Sequence, residues 1–141
     1  MKRLVVFVTL LCVTFSAVAL SETDLYSASG GDVSVFSKEY EDGSAIAFMF
    51  GARRAGSTGR VGVLLYTNPK EDVMLIIETV YFLTSGYLYI EKRKTTLQDT
   101  QGNVLGTELG GGTEVFEASM LIGQDIHCLR LNGENFYLVG K

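Results

Sequence analysis

The stretch VMLIIETVYFL, residues 73–83, decides the fold class, because it is the one segment that suits either a helix or a strand. Asn68 could cap a helix with Pro69 in its first turn, followed by apolar residues at helical spacing. However, seven of the eleven residues are β-branched or aromatic, which favours a strand. A continuous apolar run also suits a strand buried on both faces. We therefore predict a strand here, with a single helix over 70–84 as the alternative.

The chain around this stretch is typical of an all-β domain. Short apolar segments alternate with turn signals, and Asp42-Gly43 and Asn132-Gly133 are strong hairpin signals between β-like segments. DTQGN, residues 99–103, reads as a further turn. The remaining predicted strands cover 33–40, 45–50, 61–67, 87–94, 114–122, 125–131 and 136–139. Eight or nine mostly antiparallel strands predict a β-sandwich or a small closed barrel of about eight strands.

The first nineteen residues have the pattern of a secretory signal peptide. Lys2 and Arg3 precede an apolar run over 4–15, and the segment ends in Ala17-Val18-Ala19. The run is shorter than the roughly 20 residues of a membrane-spanning helix. We predict cleavage after residue 19, a flexible arm over 20–32, a single β domain over 33–141, and a periplasmic or extracellular location. An uncleaved N-terminal anchor is the alternative, and the mature chain is expected to lack a stable membrane span.

The charge and cysteine content narrow the classes of partner. The full chain has 12 basic and 16 acidic residues, and loss of Lys2 and Arg3 leaves a net charge of −6. An acidic domain is a poor candidate for binding nucleic acid or anionic lipid. Cys128 would be the one cysteine of the mature chain, so the domain has no internal disulfide. This thiol is expected to be buried, or else to join two chains.

Residues suited to catalysis or metal binding are few. Asp125 and His127 are two apart on a predicted strand and so share a face, like the orienting half of a hydrolytic triad. No nucleophile-elbow sequence accompanies them. One histidine and one cysteine do not make a zinc site without carboxylates from elsewhere. We predict no catalytic residue, no metal and no cofactor.

Two groups of residues are candidates for contact with a partner. Tyr87, Tyr89 and Arg93 are predicted to share one strand face, with Lys92 and Lys94 on the other, and tyrosines beside cations are favoured at protein contacts. The segment GARRAGSTG, residues 51–59, reads as a loop. Its arginines and the one that follows are candidates for contact with an anion or an acidic partner: Arg53, Arg54 and Arg60.

These observations predict an exported, non-enzymatic β domain that binds another protein or a component of the cell surface or envelope. The identity of that partner and the oligomeric state are left open. A small outer-membrane β-barrel is the first alternative, since 8 phenylalanines and 7 tyrosines could supply its interfacial girdles. The apolar run over 73–77 argues against it, because a membrane barrel has a polar interior. A small hydrolase using Asp125 and His127 is the second alternative.

Overall fold

The computed structural model describes residues 16–19, 33–55, 59–122 and 127–139. These residues form ten β-strands and contain no helix, and hence no helix able to cross a membrane. The strands are β1 (Ser16–Ala19), β2 (Val33–Glu39), β3 (Ala45–Ala55), β4 (Gly59–Asn68), β5 (Val73–Thr84), β6 (Tyr87–Gln98), β7 (Val104–Leu109), β8 (Thr113–Ile122), β9 (His127–Leu131) and β10 (Glu134–Leu138).

The strands close into an eight-stranded antiparallel barrel with one extra strand. Neighbours pair in the order β2-β3-β4-β5-β6-β8-β9-β10, and β10 returns to β2. β7 continues the line of β8, because both lie antiparallel to β6, β7 against residues 94–98 and β8 against residues 87–91. β1 is the extra strand and pairs with residues 119–122 of β8. The all-β prediction is confirmed, and of the two predicted architectures the chain adopts the barrel.

The ambiguous stretch is a strand, β5, as predicted. The preceding segment, residues 69–72, is a turn rather than a helix start. The Asp72 amide donates to the Pro69 carbonyl at 3.3 Å, and Asp72 has a φ of 56°. The interpretation that both faces are buried is wrong. Ile77, Thr79 and Tyr81 are buried, whereas Glu78 and Phe82 between and beside them are exposed. The strand therefore has one inward and one outward face, and its outward face carries apolar side chains as well.

The barrel interior is filled by apolar side chains, many of them aromatic. Phe48 lies at the centre of an aromatic group: its ring centroid is 5.0 Å from that of Phe136, 5.9 Å from Phe116 and 6.1 Å from Phe50. The buried core comprises Phe36, Phe48, Phe50, Tyr81, Leu88, Ile90, Ala118, Met120, Leu129, Leu131 and Phe136. Because inward positions alternate with outward ones along each strand, the outer surface is set by the residues next to these.

The predicted hairpin turns lie where the sequence places them. Gly43 has a φ of 90°, and the Tyr40 amide donates to the Ser44 carbonyl at 2.8 Å across that turn. Asn132 and Gly133 have φ values of 50° and 82°, which a two-residue turn of the I′ type requires at both central positions. These turns join β2 to β3 and β9 to β10 and so set the register of both hairpins.

The turn over 99–103 is organised by a single carboxylate. Asp99 Oδ1 accepts the amides of Gln101 at 3.0 Å and Asn103 at 2.8 Å, and Asp99 Oδ2 accepts the Asn103 side-chain amide at 2.8 Å. These hydrogen bonds favour the ionised form and lower the pKa of Asp99 below 3.8, with the Asn103 side chain the largest cause. Because the folded-state pKa is depressed, the stabilisation is present above the unfolded pKa and is lost as the pH falls through the folded one.

Replacing Asn103 with alanine is expected to raise the pKa of Asp99 toward 3.8, because the main hydrogen bond to its carboxylate is lost. NMR titration of the Asp99 carboxyl measures this shift. Asp42 provides an internal control: Ser44 hydrogen bonds lower its pKa independently, so that pKa should not change. An unchanged pKa at Asp99 would show that the Asn103 side chain is not the main cause of the lowered pKa.

Candidate partner-binding surface

A row of apolar side chains crosses the outside of the barrel on β5, β6 and β8. In register, Phe82 lies opposite Tyr89, and Tyr89 lies opposite Val115. The rings of Phe82 and Tyr89 are stacked, with centroids 4.8 Å apart and planes within 1° of parallel. Phe82 is 37% exposed, Tyr87 41% and Val115 48%. We call these four residues, Phe82, Tyr87, Tyr89 and Val115, the aromatic stripe.

The stripe faces outward because its neighbours along the chain face inward. Leu88 and Ile90 are buried in the core on either side of Tyr89, and Tyr81 is buried next to Phe82. On β4 the apolar surface continues at Val61, which is exposed and lies opposite Val80 of β5. A contiguous apolar surface of this kind is more informative than single exposed apolar residues, because such patches mark sites of interaction.

Arg93 lies at the end of the stripe, but the strand is not regular there. The β5–β6 register shifts between Glu78 and Thr79, so that Arg93 is an extra residue with no partner in the ladder. Its Nε is 3.2 Å from Oε1 of Glu91, and its side chain is 59% exposed. Of the three residues predicted on β6, Tyr87 and Arg93 are exposed. Tyr89 is half-buried, and its ring stacks on that of Phe82.

Lys92 and Lys94 were predicted to lie on the opposite face of β6 from Tyr87 and Tyr89, and this prediction is wrong for Lys94. It lies opposite the exposed Glu78, on the outward side. Lys92 lies opposite the buried Thr79, and its Nζ is 2.8 Å from Oε1 of Glu114 on β8. The bulge at Arg93 explains the error, since one extra residue reverses the alternation beyond it.

Two members of the stripe, Phe82 and Val115, were not predicted from the sequence. Phe82 was part of a strand expected to be buried on both faces, and Val115 belongs to a strand separated from β6 by a long excursion of the chain. Only the register of β6 against β5 and β8 brings these side chains beside Tyr89. A surface depression of about 410 Å³ adjoins the Tyr87 end, lined also by Glu117, Ser119 and Arg130.

The arginine segment differs from its prediction. β3 extends to Ala55 and β4 begins at Gly59, so most of the expected loop over 51–59 is strand, and 56–58 lie outside the described residues. The pairing of β3 with β4 is interrupted by a register shift between Phe50 and Arg54 and resumes at Arg54. The two strands therefore extend further than predicted. Arg54 lies opposite Arg60, while the side chains of Arg53 and Arg54 are outside the described set. Contact with an anion there stays a prediction.

The candidate catalytic pair is only partly within the described structure. His127 begins β9 opposite Ile122, whereas Asp125 lies outside the described residues, so the hydrolase alternative stays a prediction. Cys128 is 1% exposed, as expected for a buried small residue. Burial makes a disulfide to a second chain unfavourable without local opening. Across the described ranges, histidine, cysteine and carboxylate side chains form no group of three able to hold a metal ion.

Comparisons of the chain with protein families, with curated proteins and with solved structures found no significant match.

Proposed function

We propose that this protein is an exported, non-enzymatic β-barrel domain that binds another protein, or a component of the cell surface or envelope, through the aromatic stripe. The observation that carries the proposal is the stacked Phe82–Tyr89 pair on the outside of the barrel. The pair is flanked by the exposed Tyr87 and Val115. Aromatic side chains and arginine are enriched in protein interfaces, where they supply much of the binding free energy.

The surroundings of the stripe fit this role. Glu91 and Arg93 lie at one end and Glu117 at the other, next to Tyr87, so that charged side chains border an apolar centre. Interfaces commonly have this arrangement, with a polar rim that remains accessible to water around a centre that becomes buried. The stripe also lies on three hydrogen-bonded strands rather than on a loop, so its side chains are held in place before a partner binds.

The interior supports a water-soluble binding domain over an outer-membrane barrel. The inward positions of the barrel include Phe36, Phe50 and Leu129, all buried, whereas the interior of a membrane barrel is polar. Outward positions on β5 and β6 include Glu78 and Lys94, opposite one another. Charged residues on a lipid-facing surface are unfavourable near the bilayer centre.

The proposed function and the membrane-barrel alternative predict different behaviour in solution, and the following result is expected from the proposed function. The processed protein, purified without detergent, is expected to elute as a monodisperse species in gel filtration with light scattering, and to show a β-rich far-UV circular dichroism spectrum. Aggregation that detergent alone reverses into a folded β protein would contradict the proposal and favour the membrane barrel.

The binding role of the stripe can be tested without knowing the partner. We expect a photo-crosslinking amino acid at position 87 to form an adduct in the producing cells, and the same group at position 137 to form none. Tyr137 is the matched control, because it is also an exposed tyrosine, 48% accessible, but lies on β10. Adducts from both positions alike, or from neither, would contradict a specific contact at the stripe.

With the crosslinked partner identified and purified, the Tyr87→Ala/Tyr89→Ala/Arg93→Ala variant is expected to lose binding, with an affinity at least about 100-fold lower, because it removes two aromatic groups and a cation from the contact. Tyr137→Ala should bind as the unmodified protein does. Circular dichroism of the triple variant checks that the barrel remains folded. Unchanged binding by a folded triple variant would remove these residues from the site.

A further inference from the structure

The two halves of β8 have different neighbours on one edge. Over residues 113–117 that edge pairs with β6, and over residues 119–122 it pairs with β1. The opposite edge of residues 118–122 pairs with β9. β1 consists of Ser16–Ala19, the last four residues of the predicted signal peptide. Cleavage after Ala19 would therefore remove the segment that occupies one edge of β8.

The backbone groups that face this edge can be identified. The Ala118 amide donates to the Gly86 carbonyl at 2.9 Å, on the β6 side of β8. Backbone groups alternate in direction along a strand, so those of Met120 also point to that side. In the register of β1 and β8, Val18 lies opposite Met120. Val18 and Met120 are thus a hydrogen-bonded pair, whereas the backbone groups of Ala17 and Ala19 point away from β8.

Removal of β1 does not open the barrel. The eight strands that close it begin at Val33, and the closure is made by β10 on β2 and by β6 on β8. Without β1, no described residue pairs with this edge of β8 over residues 119–122, a segment with no charged residue and no proline. Natural sheets blunt free edges with such residues, because an unprotected edge pairs with other extended chains.

We propose that signal-peptide removal uncovers a strand-addition site on β8, and that an extended segment of a partner protein pairs antiparallel with residues 119–122 in place of β1. This inference rests on the export in the proposed function and specifies the kind of partner. β1 indicates the sequence that fits: valine opposite Met120, and alanine opposite Ser119 and Leu121. In strand addition, backbone hydrogen bonds supply affinity and the alternate side-chain positions supply specificity.

The site is continuous with the aromatic stripe. The depression beside the stripe is lined by both Tyr87 and Ser119, where the free edge of β8 begins. Arg130 of β9, opposite Ser119, lines the same depression, and its Nε donates to Asn135 Oδ1 at 2.9 Å. A partner strand that ends near Ser119 would lie next to Tyr87, so one partner can contact both surfaces.

The test begins with the full chain expressed in an exporting host and the product purified. Intact-mass spectrometry shows whether residues 16–19 are gone, and a product that retains them overturns the inference. The probe is a fluorescent synthetic peptide of residues 14–21, TFSAVALS. We expect saturable binding by fluorescence anisotropy, and hydrogen exchange at the Met120 amide at least about tenfold slower with peptide bound, since that amide gains a partner.

Two modified peptides make the test specific for strand pairing. N-methylation at Val18 blocks a donor that faces β8, so it should weaken binding at least about tenfold. N-methylation at Ala17 blocks a donor that faces away and should leave the affinity within about twofold. Equal effects of the two modifications would overturn the proposed pairing.

Two further outcomes overturn the choice of occupant. If processed monomer binds no peptide and its Met120 amide, which faces the edge, is already protected, another part of the same chain covers the edge. If protection rises with protein concentration together with a dimer in light scattering, the occupant is a second copy. Crosslinking from position 87 tests contact at the aromatic stripe without using the peptide. Failure of the edge site and failure of the proposed function therefore give different results.

Discussion

Replacing Phe48 with alanine is expected to lower the free energy of unfolding by about 3–5 kcal/mol. Phe48 is 5% exposed, and its ring packs against Phe50 on the same strand, Phe116 on β8 and Phe136 on β10. Its removal leaves a cavity among rigid rings that have few ways to close it. Since small domains are stable by about 5–15 kcal/mol in total, much of the protein's stability would be lost.

The matched control is Phe82→Ala, which deletes the same side chain from the outside of the barrel. Phe82 contacts Tyr89 but is 37% exposed, so the expected loss of stability is about 1 kcal/mol or less. Urea unfolding followed by circular dichroism measures both variants. For partner binding we expect the reverse order, because Phe82 lies in the aromatic stripe: Phe82→Ala should weaken binding more than Phe48→Ala does. Equal stability losses would contradict the assignment of inward and outward faces.

Replacing Gly62 with alanine is expected to destabilise the barrel by about 1–3 kcal/mol through overpacking. Gly62 is buried on the inward side of β4. A Cβ there would lie 3.0 Å from the Met49 carbonyl oxygen, 3.0 Å from Thr79 Oγ1 and 3.1 Å from Tyr81 Cδ1. The Tyr81 hydroxyl donates to the Gly51 carbonyl at 2.8 Å, so its ring is held over the glycine and cannot simply move away.

Gly106→Ala is the control for this substitution. Gly106 also lies within a strand, β7, but a Cβ there would meet no atom within 4 Å. Alanine restricts the unfolded chain more than glycine does, so this variant should be neutral or more stable by about 0.4–1 kcal/mol. Thermal unfolding of the two variants side by side makes the comparison. A destabilised Gly106→Ala together with a neutral Gly62→Ala would contradict the proposed packing of Tyr81 on Gly62 as the factor that controls the cost of alanine at position 62.

The glycine under Tyr81 also illustrates what patterning alone conceals. Alternation in residues 61–67 predicts that Val61, Val63 and Leu65 share a face, and the register confirms this by placing the buried Gly62 on the other. Nothing in the sequence of β4 indicates that an aromatic ring from β5 covers Gly62. That contact depends on the pairing of Gly62 with Thr79 and of Arg60 with Tyr81.

The sequence by itself determined the all-β class, the hairpin turns at Asp42-Gly43 and Asn132-Gly133 and the approximate position of each barrel strand. Turn chemistry and side-chain alternation act over a few neighbouring residues, so they can be recognised in the sequence. Only the tertiary structure distinguished a closed barrel from a β-sandwich, through the pairing of β10 with β2. It also decided the bulge at Arg93 and the row that joins Phe82, Tyr89 and Val115. These features depend on register between separate strands, which many distant contacts set together.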